Sequence, residues 1–223
     1  MKLLSLATFL LLTLATPAGA LDHNQAAQVL GEINLARTAP YTYANYLREF
    51  RKRFRGDYFL LPGSATRMQT REGVQAVDEA IRYLSRLKPL PPLTWSDGLA
   101  AAAAELAEEQ GRSGATGHIG LKSRGMRGRI DRHGKWSRQI AENIGYGPTE
   151  ARTMVMQLII DDGVPDRGHR KNTFNTAFRT AGVAYGPHPV FGGMCVIDFA
   201  DAFREQKMRA AYFRKGEEKS DAN

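Results

Sequence analysis

Ala141-Glu142-Asn143-Ile144-Gly145-Tyr146-Gly147, an apolar-striped run over 150–161, then Asp161-Asp162-Gly163 and Gly168-His169-Arg170-Lys171-Asn172 form the stretch around which this chain organises. Ala151, Met154, Val155, Leu158 and Ile159 recur at i, i+3, i+4, i+7 and i+8, the stripe of a helix with one buried face. Thr149 stands where a cap is expected. Downstream, 180–186 and 194–199 read as strands joined by a loop over 187–193, so an antiparallel pair is expected. Upstream, Gly117-His118 lies 24 residues before Glu142. Two histidines, one carboxylate, and Asp161 or Asp162 as a second acid are raw material for a metal or acid–base site.

Outward from this stretch the signals are mostly helical. Apolar residues at 27, 30, 33 and 36 give a helix over 22–39, with Asp22 or Asn24 as cap and Pro40 as stop. A second helix is expected over 41–54, a loop over 56–70 around Pro62-Gly63-Ser64, and a third helix over 70–87. Pro89-Leu90-Pro91-Pro92 forbids helix and makes a stiff connector. Ser96 caps a helix over 97–110 whose alanine run, 100–104, allows close packing. Residues 122–134 are basic and read as exposed. His23, His133 and His188 have no evident partner and read as surface residues. Helices around a few strands give an α+β, layered architecture. A parallel nucleotide-binding sheet does not fit this order, and there is no glycine-rich phosphate loop.

The first 20 residues read as an export signal rather than a fold element. Lys2 supplies the positive start, 3–14 is apolar, and Ala18-x-Ala20 marks cleavage. Residues 21–203 then form one domain, with a helical region over 41–90, and 204–223 form a charged tail. No transmembrane anchor is expected after cleavage, which makes the protein secreted or periplasmic. The net charge of +8 suits acidic envelope polymers or anionic lipid. No aromatic interleaving accompanies the basic run 51–55, so nucleic acid is not an expected partner. Cys195 is the only cysteine, which excludes an intramolecular disulfide framework. It reads as a buried apolar residue rather than a nucleophile, and no glycine-flanked serine or cysteine elbow occurs.

Five segments then fall in a recognisable order. Leu93-Thr94-Trp95-Ser96-Asp97-Gly98-Leu99-Ala100-Ala101-Ala102-Ala103 resembles the L-x-W-x-x-x-L-x-x-A-A helix opening of the SCP, or CAP, domain. Gly117-His118, Glu142-Asn143-Ile144-x-x-Gly147, Gly168-His169-Arg170-x-Asn172 and the strand 195–200 follow, and Ile33-Asn34-Leu35-Ala36-Arg37 is similar to the family's first helix. The resemblance, spanning 24–200, is to the superfamily of cysteine-rich secretory proteins, antigen 5 and plant pathogenesis-related proteins. It implies an α-β-α sandwich with a central antiparallel sheet, and a cavity lined by two histidines and two acids. Carried across, these are His118, His169, Glu142 and either Asp161 or Asp162, where the family usually has a glutamate. Lys122 and Ser123 stand where many bacterial members have Asp-Gly, which makes that rim more cationic.

The chemistry of these residues allows three readings. His118 and His169 could hold a divalent metal, zinc first, with Glu142, Asp161, Asp162, Asn143 and Arg170 lining or bracing the cavity. The bound species would be a metal ion, a small ligand, a lipid or a cell-envelope component. Alternatively, His118, Glu142 and His169 could activate water in a peptidase-like hydrolase. In the third reading the same residues only hold the structure of an envelope interaction protein. Arg170 also reads as a loop anchor and Asn172 as a turn residue.

Overall fold

The computed structural model describes residues 21–60, 67–147 and 150–206; the expected export signal lies outside them. Helix α1 (His23–Thr38) is capped by Asp22, whose carboxylate accepts the Gln25 N–H at 2.9 Å. Pro40, at the first position of α2 (Pro40–Arg51), separates the two helices. The segment expected as a helix end and a loop instead carries β1 (Phe54–Arg55), β2 (Tyr58–Leu60) and β3 (Arg67–Gln69), an antiparallel three-stranded sheet. The Phe59 ring packs 4.9 Å from Phe50 and 5.3 Å from Phe54, and this aromatic cluster holds strands that Pro62 and Gly63 hide from the pattern. Helix α3 (Val74–Arg86) starts later than residue 70, because Gly73 turns the chain at φ +62. There Asp162 accepts the N–H groups of Arg71 and Glu72 at 2.7 and 2.8 Å.

The central sheet contains β4 (Thr94–Trp95), β8 (Ile140–Tyr146), β9 (Thr180–His188) and β10 (Gly192–Ala200), in the order β4-β9-β10-β8. It is antiparallel except for the short parallel pairing of β4 with β9. Its two faces follow from the period-2 alternation of strand side chains. Cys195, Ile197 and Phe199 of β10 join Val29 and Ile33 of α1 and the Met154 stripe of α6 (Ala151–Ile160). Met194 and Val196 face Leu106 and Ala107 of α4 (Asp97–Ser113) on the other side. Ala200 joins Leu99 and Ile130 there. The result is an α-β-α sandwich. Burial raises the pKa of the Cys195 thiol, consistent with an inert core residue.

Helix α4 is capped by the Ser96 hydroxyl and ends at Gly114 in the left-handed region, at φ +73. A Cβ placed on Gly182 would sit 1.9 Å from the Ala100 nitrogen, so the first turn of α4 rests directly on β9. After α4 come the hairpin β5 (Ile119–Gly120) and β6 (Arg124–Gly125), then α5 (Met126–His133) and β7 (Gly134–Trp136). The expectation that 122–134 is exposed is corrected here, since Arg129 and Ile130 are fully buried. Glu150, not Thr149, caps α6, accepting the N–H groups of Arg152 and Thr153; Thr149 lies outside the described residues. Helix α7 (Gly168–Thr173) precedes β9. Strand β11 (Phe203–Glu205) pairs with β7, so the expected domain end at residue 203 falls inside a strand.

Candidate functional site

Register places Glu142 and Asn143 on opposite faces of the edge strand β8, and one histidine is tied to each side. Gly117 is fixed first. Its N–H donates to the Tyr146 hydroxyl at 2.9 Å, and its carbonyl accepts from the buried Gln110 amide at 2.6 Å. The Tyr146 hydroxyl in turn donates to Gln110 Oε1 at 2.8 Å. Gly117, at φ +95, then delivers His118, whose Nδ1 lies 2.8 Å from Glu142 Oε1. The other Glu142 oxygen accepts from the fully buried Arg129 guanidinium, which also donates to the carbonyls of His118 and Arg124. One side chain thus fastens both the acid and the hairpin that carries the histidine.

Asp198 faces Glu142 across the β8–β10 pairing and is fully buried. Its carboxyl oxygens have no hydrogen-bond partner at ordinary distance and angle, although a proton on Asp198 would face Glu142. Burial first, and the Glu142 charge second, push its pKa well above the usual carboxylate range; Arg129 pulls the other way. A pKa raised in the folded state means that folding takes up a proton. The associated stability is complete below the unfolded value of about 3.9 and erodes as pH rises towards the folded value. Asp198→Asn is therefore expected to match the wild type near pH 4 and to become the more stable protein above it. The gap should grow by up to about 1.4 kcal/mol per pH unit within that window. Urea denaturation of both proteins at pH 4, 6 and 8 checks this, and a gap that does not widen with pH would refute it.

The second histidine is held by a helix end. Asp161 terminates α6 in the left-handed region at φ +58. Its Oδ2 accepts the His169 N–H at 2.9 Å and its Oδ1 lies 2.6 Å from His169 Nδ1. Asn143 donates to the His169 carbonyl at 3.0 Å and to Thr173 Oγ1 at 3.2 Å, while Asn172 donates to Asn143 Oδ1 at 2.9 Å. Among the described residues, the only non-glycine residues at positive φ are Arg124, Asp161 and Arg167. Arg124 offers its carbonyl to Arg129, Asp161 is the acid itself, and Arg167 leads into α7. Backbone strain of this kind gathers where a geometry is imposed by its surroundings.

Asp162, one of the two acids offered for the cavity, lies elsewhere, while Arg170 takes the anchoring role read from the sequence. Asp162 braces the start of α3 and does not touch His169. Arg170 ties down the end of α6, donating to the carbonyls of Ile159 and Ile160 and to Glu79 at 2.8 Å, so its charge is spent on structure. His188 is buried rather than exposed, with Nε2 3.0 Å from the Ala115 carbonyl, and His133 pairs with Glu105 at 2.7 Å. Sequence reasoning missed Arg129 and Asp198. Asp198 left a signal, a lone carboxylate inside the apolar run 194–200; Arg129, one arginine among several, left none.

A carboxylate can only accept, so each neutral imidazole carries its proton on Nδ1 and keeps the Nε2 lone pair free. The rings reach solvent, with side chains 55% exposed for His118 and 24% for His169, while both carboxylates are buried. Among the described residues no three His, Cys, Asp or Glu side chains converge into a metal-holding group. Two imidazole nitrogens on their own would leave coordination positions open, unlike the four protein ligands of a closed structural zinc site. No helix among the described residues is long and apolar enough to cross a membrane.

The model of the cysteine-rich secretory protein (CAP) family matches residues 33–199. No curated protein matches the chain. Among solved structures, it is similar to an extracellular protein containing an SCP domain from Bacillus anthracis, with 18% identity and a TM-score of 0.41 over 57% of this chain and 37% of that one. It is also similar to an outer surface protein from Borrelia burgdorferi, with 20% identity and a TM-score of 0.42 over 52% of this chain and 80% of that one.

Proposed function

This chain belongs to the cysteine-rich secretory protein family, and from that premise we propose that it is an exported binding module that takes a divalent ion or small ligand on His118 and His169. The observation that carries the reading is the paired arrangement of exposed ring and buried acid. Each imidazole is oriented from behind by a carboxylate on Nδ1, at 2.8 and 2.6 Å, and keeps Nε2 for an incoming group. Zinc, when bound, would supply a Lewis-acidic centre with vacant positions for an anionic or carbonyl ligand. Glu142 and Asp161 fix the tautomers, and Arg129 holds Glu142 in place. A purely structural role gives no reason for rings that reach solvent. Hydrolysis has less support, because both Glu142 oxygens are committed to His118 and Arg129, and the chain carries no nucleophile elbow. Export is supported by Lys2, the apolar run 3–14 and Ala18-x-Ala20.

Calorimetric titration of residues 21–223 with zinc tests the proposal. The wild type is expected to bind, and the His118→Ala/His169→Ala double variant to give no binding heat while still folding. Asp161→Asn keeps the ring but loses its charged brace, and should weaken binding by about 10–100-fold. A double variant that binds zinc as the wild type does would overturn this assignment. No binding by the wild type would discard the metal form and turn the search to lipid and envelope ligands.

A further inference from the structure

Strand β8 is the last strand of its sheet, and among the described residues no strand pairs with its outer edge. Two backbone hydrogen bonds bracket its pairing with β10: Gly147 N–H to the Gly193 carbonyl at 2.9 Å, and Asp201 N–H to the Gln139 carbonyl at 3.1 Å. In an antiparallel ladder residues alternate between facing the partner and facing away. Residues 141, 143 and 145 therefore bond to β10, and 140, 142, 144 and 146 turn their N–H and C=O groups outward. Asn172 agrees with this phase, since its amide reaches the Glu142 carbonyl from outside at 3.4 Å. Burial shows where the edge opens. Glu142 to Gly145 are buried, whereas Ile140 and Ala141 are only half-buried.

A cleft of about 420 Å³ lies along that open portion, with Gln139, Ile140 and Ala141 as its floor. Met126, Arg127 and Trp136 line one wall, from the α5 layer; Asn172, Asn175 and Phe178 line the other, from the α7 layer. The second wall is preformed, because buried Arg37 donates to the carbonyls of Thr173 and Asn175 at 2.8 and 3.2 Å, and to that of Phe178. An extended strand suits this shape. An added strand would bond to the Ile140 backbone and point successive side chains alternately at the two walls. The charged lining side chains are both arginines. Arg127 is 74% exposed, with Asp131 at 3.8 Å, and Arg138 is 82% exposed while bonded to Asp201 at 3.2 Å. Both guanidiniums retain donors for an acidic side chain.

We infer that the cleft along β8 binds an extended, acidic peptide segment as a fifth strand of the central sheet. Neither histidine lines the cleft, and the inference goes beyond the binding role proposed for them. The probe is a capped hexapeptide of alternating glutamate and valine, with two isomers N-methylated at one or the other set of alternate residues. Only one set of N–H groups in an added strand faces β8. One isomer should therefore lose about ten-fold in affinity, roughly the worth of one or two backbone hydrogen bonds, while the other keeps it. Saturating probe should slow exchange of the Ile140 amide, and Arg127→Glu should weaken the probe while favouring its lysine counterpart. Equal binding by both isomers and the parent, or unchanged exchange at Ile140, would overturn the inference. The His118→Ala/His169→Ala variant should keep full affinity; loss there would place the peptide on the histidines instead and sink the cleft. Zinc binding and peptide binding thus stand or fall separately.

Discussion

Arg129→Met is expected to destabilise the fold by about 3–5 kcal/mol at neutral pH, the cost of stranding buried charge. Arg129 is fully buried against a Glu142 side chain that is itself 2% exposed, with buried Asp198 beside them. Methionine fills much of the volume but leaves the buried Glu142 carboxylate without its cation. It also releases the carbonyls of His118 and Arg124, so the hairpin carrying the first histidine loosens. Urea denaturation measures the loss. The Arg129→Met/Glu142→Gln pair should recover a large part of it, because a buried ion pair replaced as a unit costs far less than one broken in half. Exposed pairs such as Lys52–Glu49 make the contrast, since screening leaves them worth roughly 0–1 kcal/mol. A single variant within 1 kcal/mol of the wild type would show that Arg129 does not hold the site together.

Gly182→Ala is the second large expected loss, about 3 kcal/mol or more, at the severe end of overpacking. A methyl group there would meet backbone, 1.9 Å from the Ala100 nitrogen and 2.2 Å from the Leu99 carbonyl carbon. Backbone cannot rotate aside as a side chain can, so α4 must lift off β9 or the strand must bend. Since α4 also carries Gln110, the shift would reach Gly117 and His118. Gly31→Ala is the control. Nothing lies within 4 Å of its added Cβ, and in mid-helix alanine should gain up to about 1 kcal/mol. Thermal melts of the two variants should move in opposite directions.

These two sites also mark the limit of what could be read from the chain itself. Elements whose burial follows a single period were legible: the stripe of α6, and the β9–β10 pair with its short loop. The α-β-α architecture came with the motif order. His118, Glu142 and His169 were visible because glycines and short motifs flag them. Arg129 was not, because one arginine in a basic run does not announce that it faces inward. Nor could Asp161 be told from Asp162. Adjacent carboxylates part company only through the left-handed turn at Asp161, which sends one to His169 and the other to α3. The β1–β3 sheet stayed hidden because its strands are only two or three residues long, too short for a period-2 pattern to show.

Asp161 sits in a backbone conformation that glycine adopts without strain. Glycine there would relieve roughly 1 kcal/mol of backbone strain, but it would leave the His169 N–H and ring without their acceptor, at a cost of about 1–3 kcal/mol. The same exchange deletes the acid bonded to the His169 ring. At this position, then, the strained backbone and the orientation of the His169 ring reside in one residue, and easing the first gives up the second.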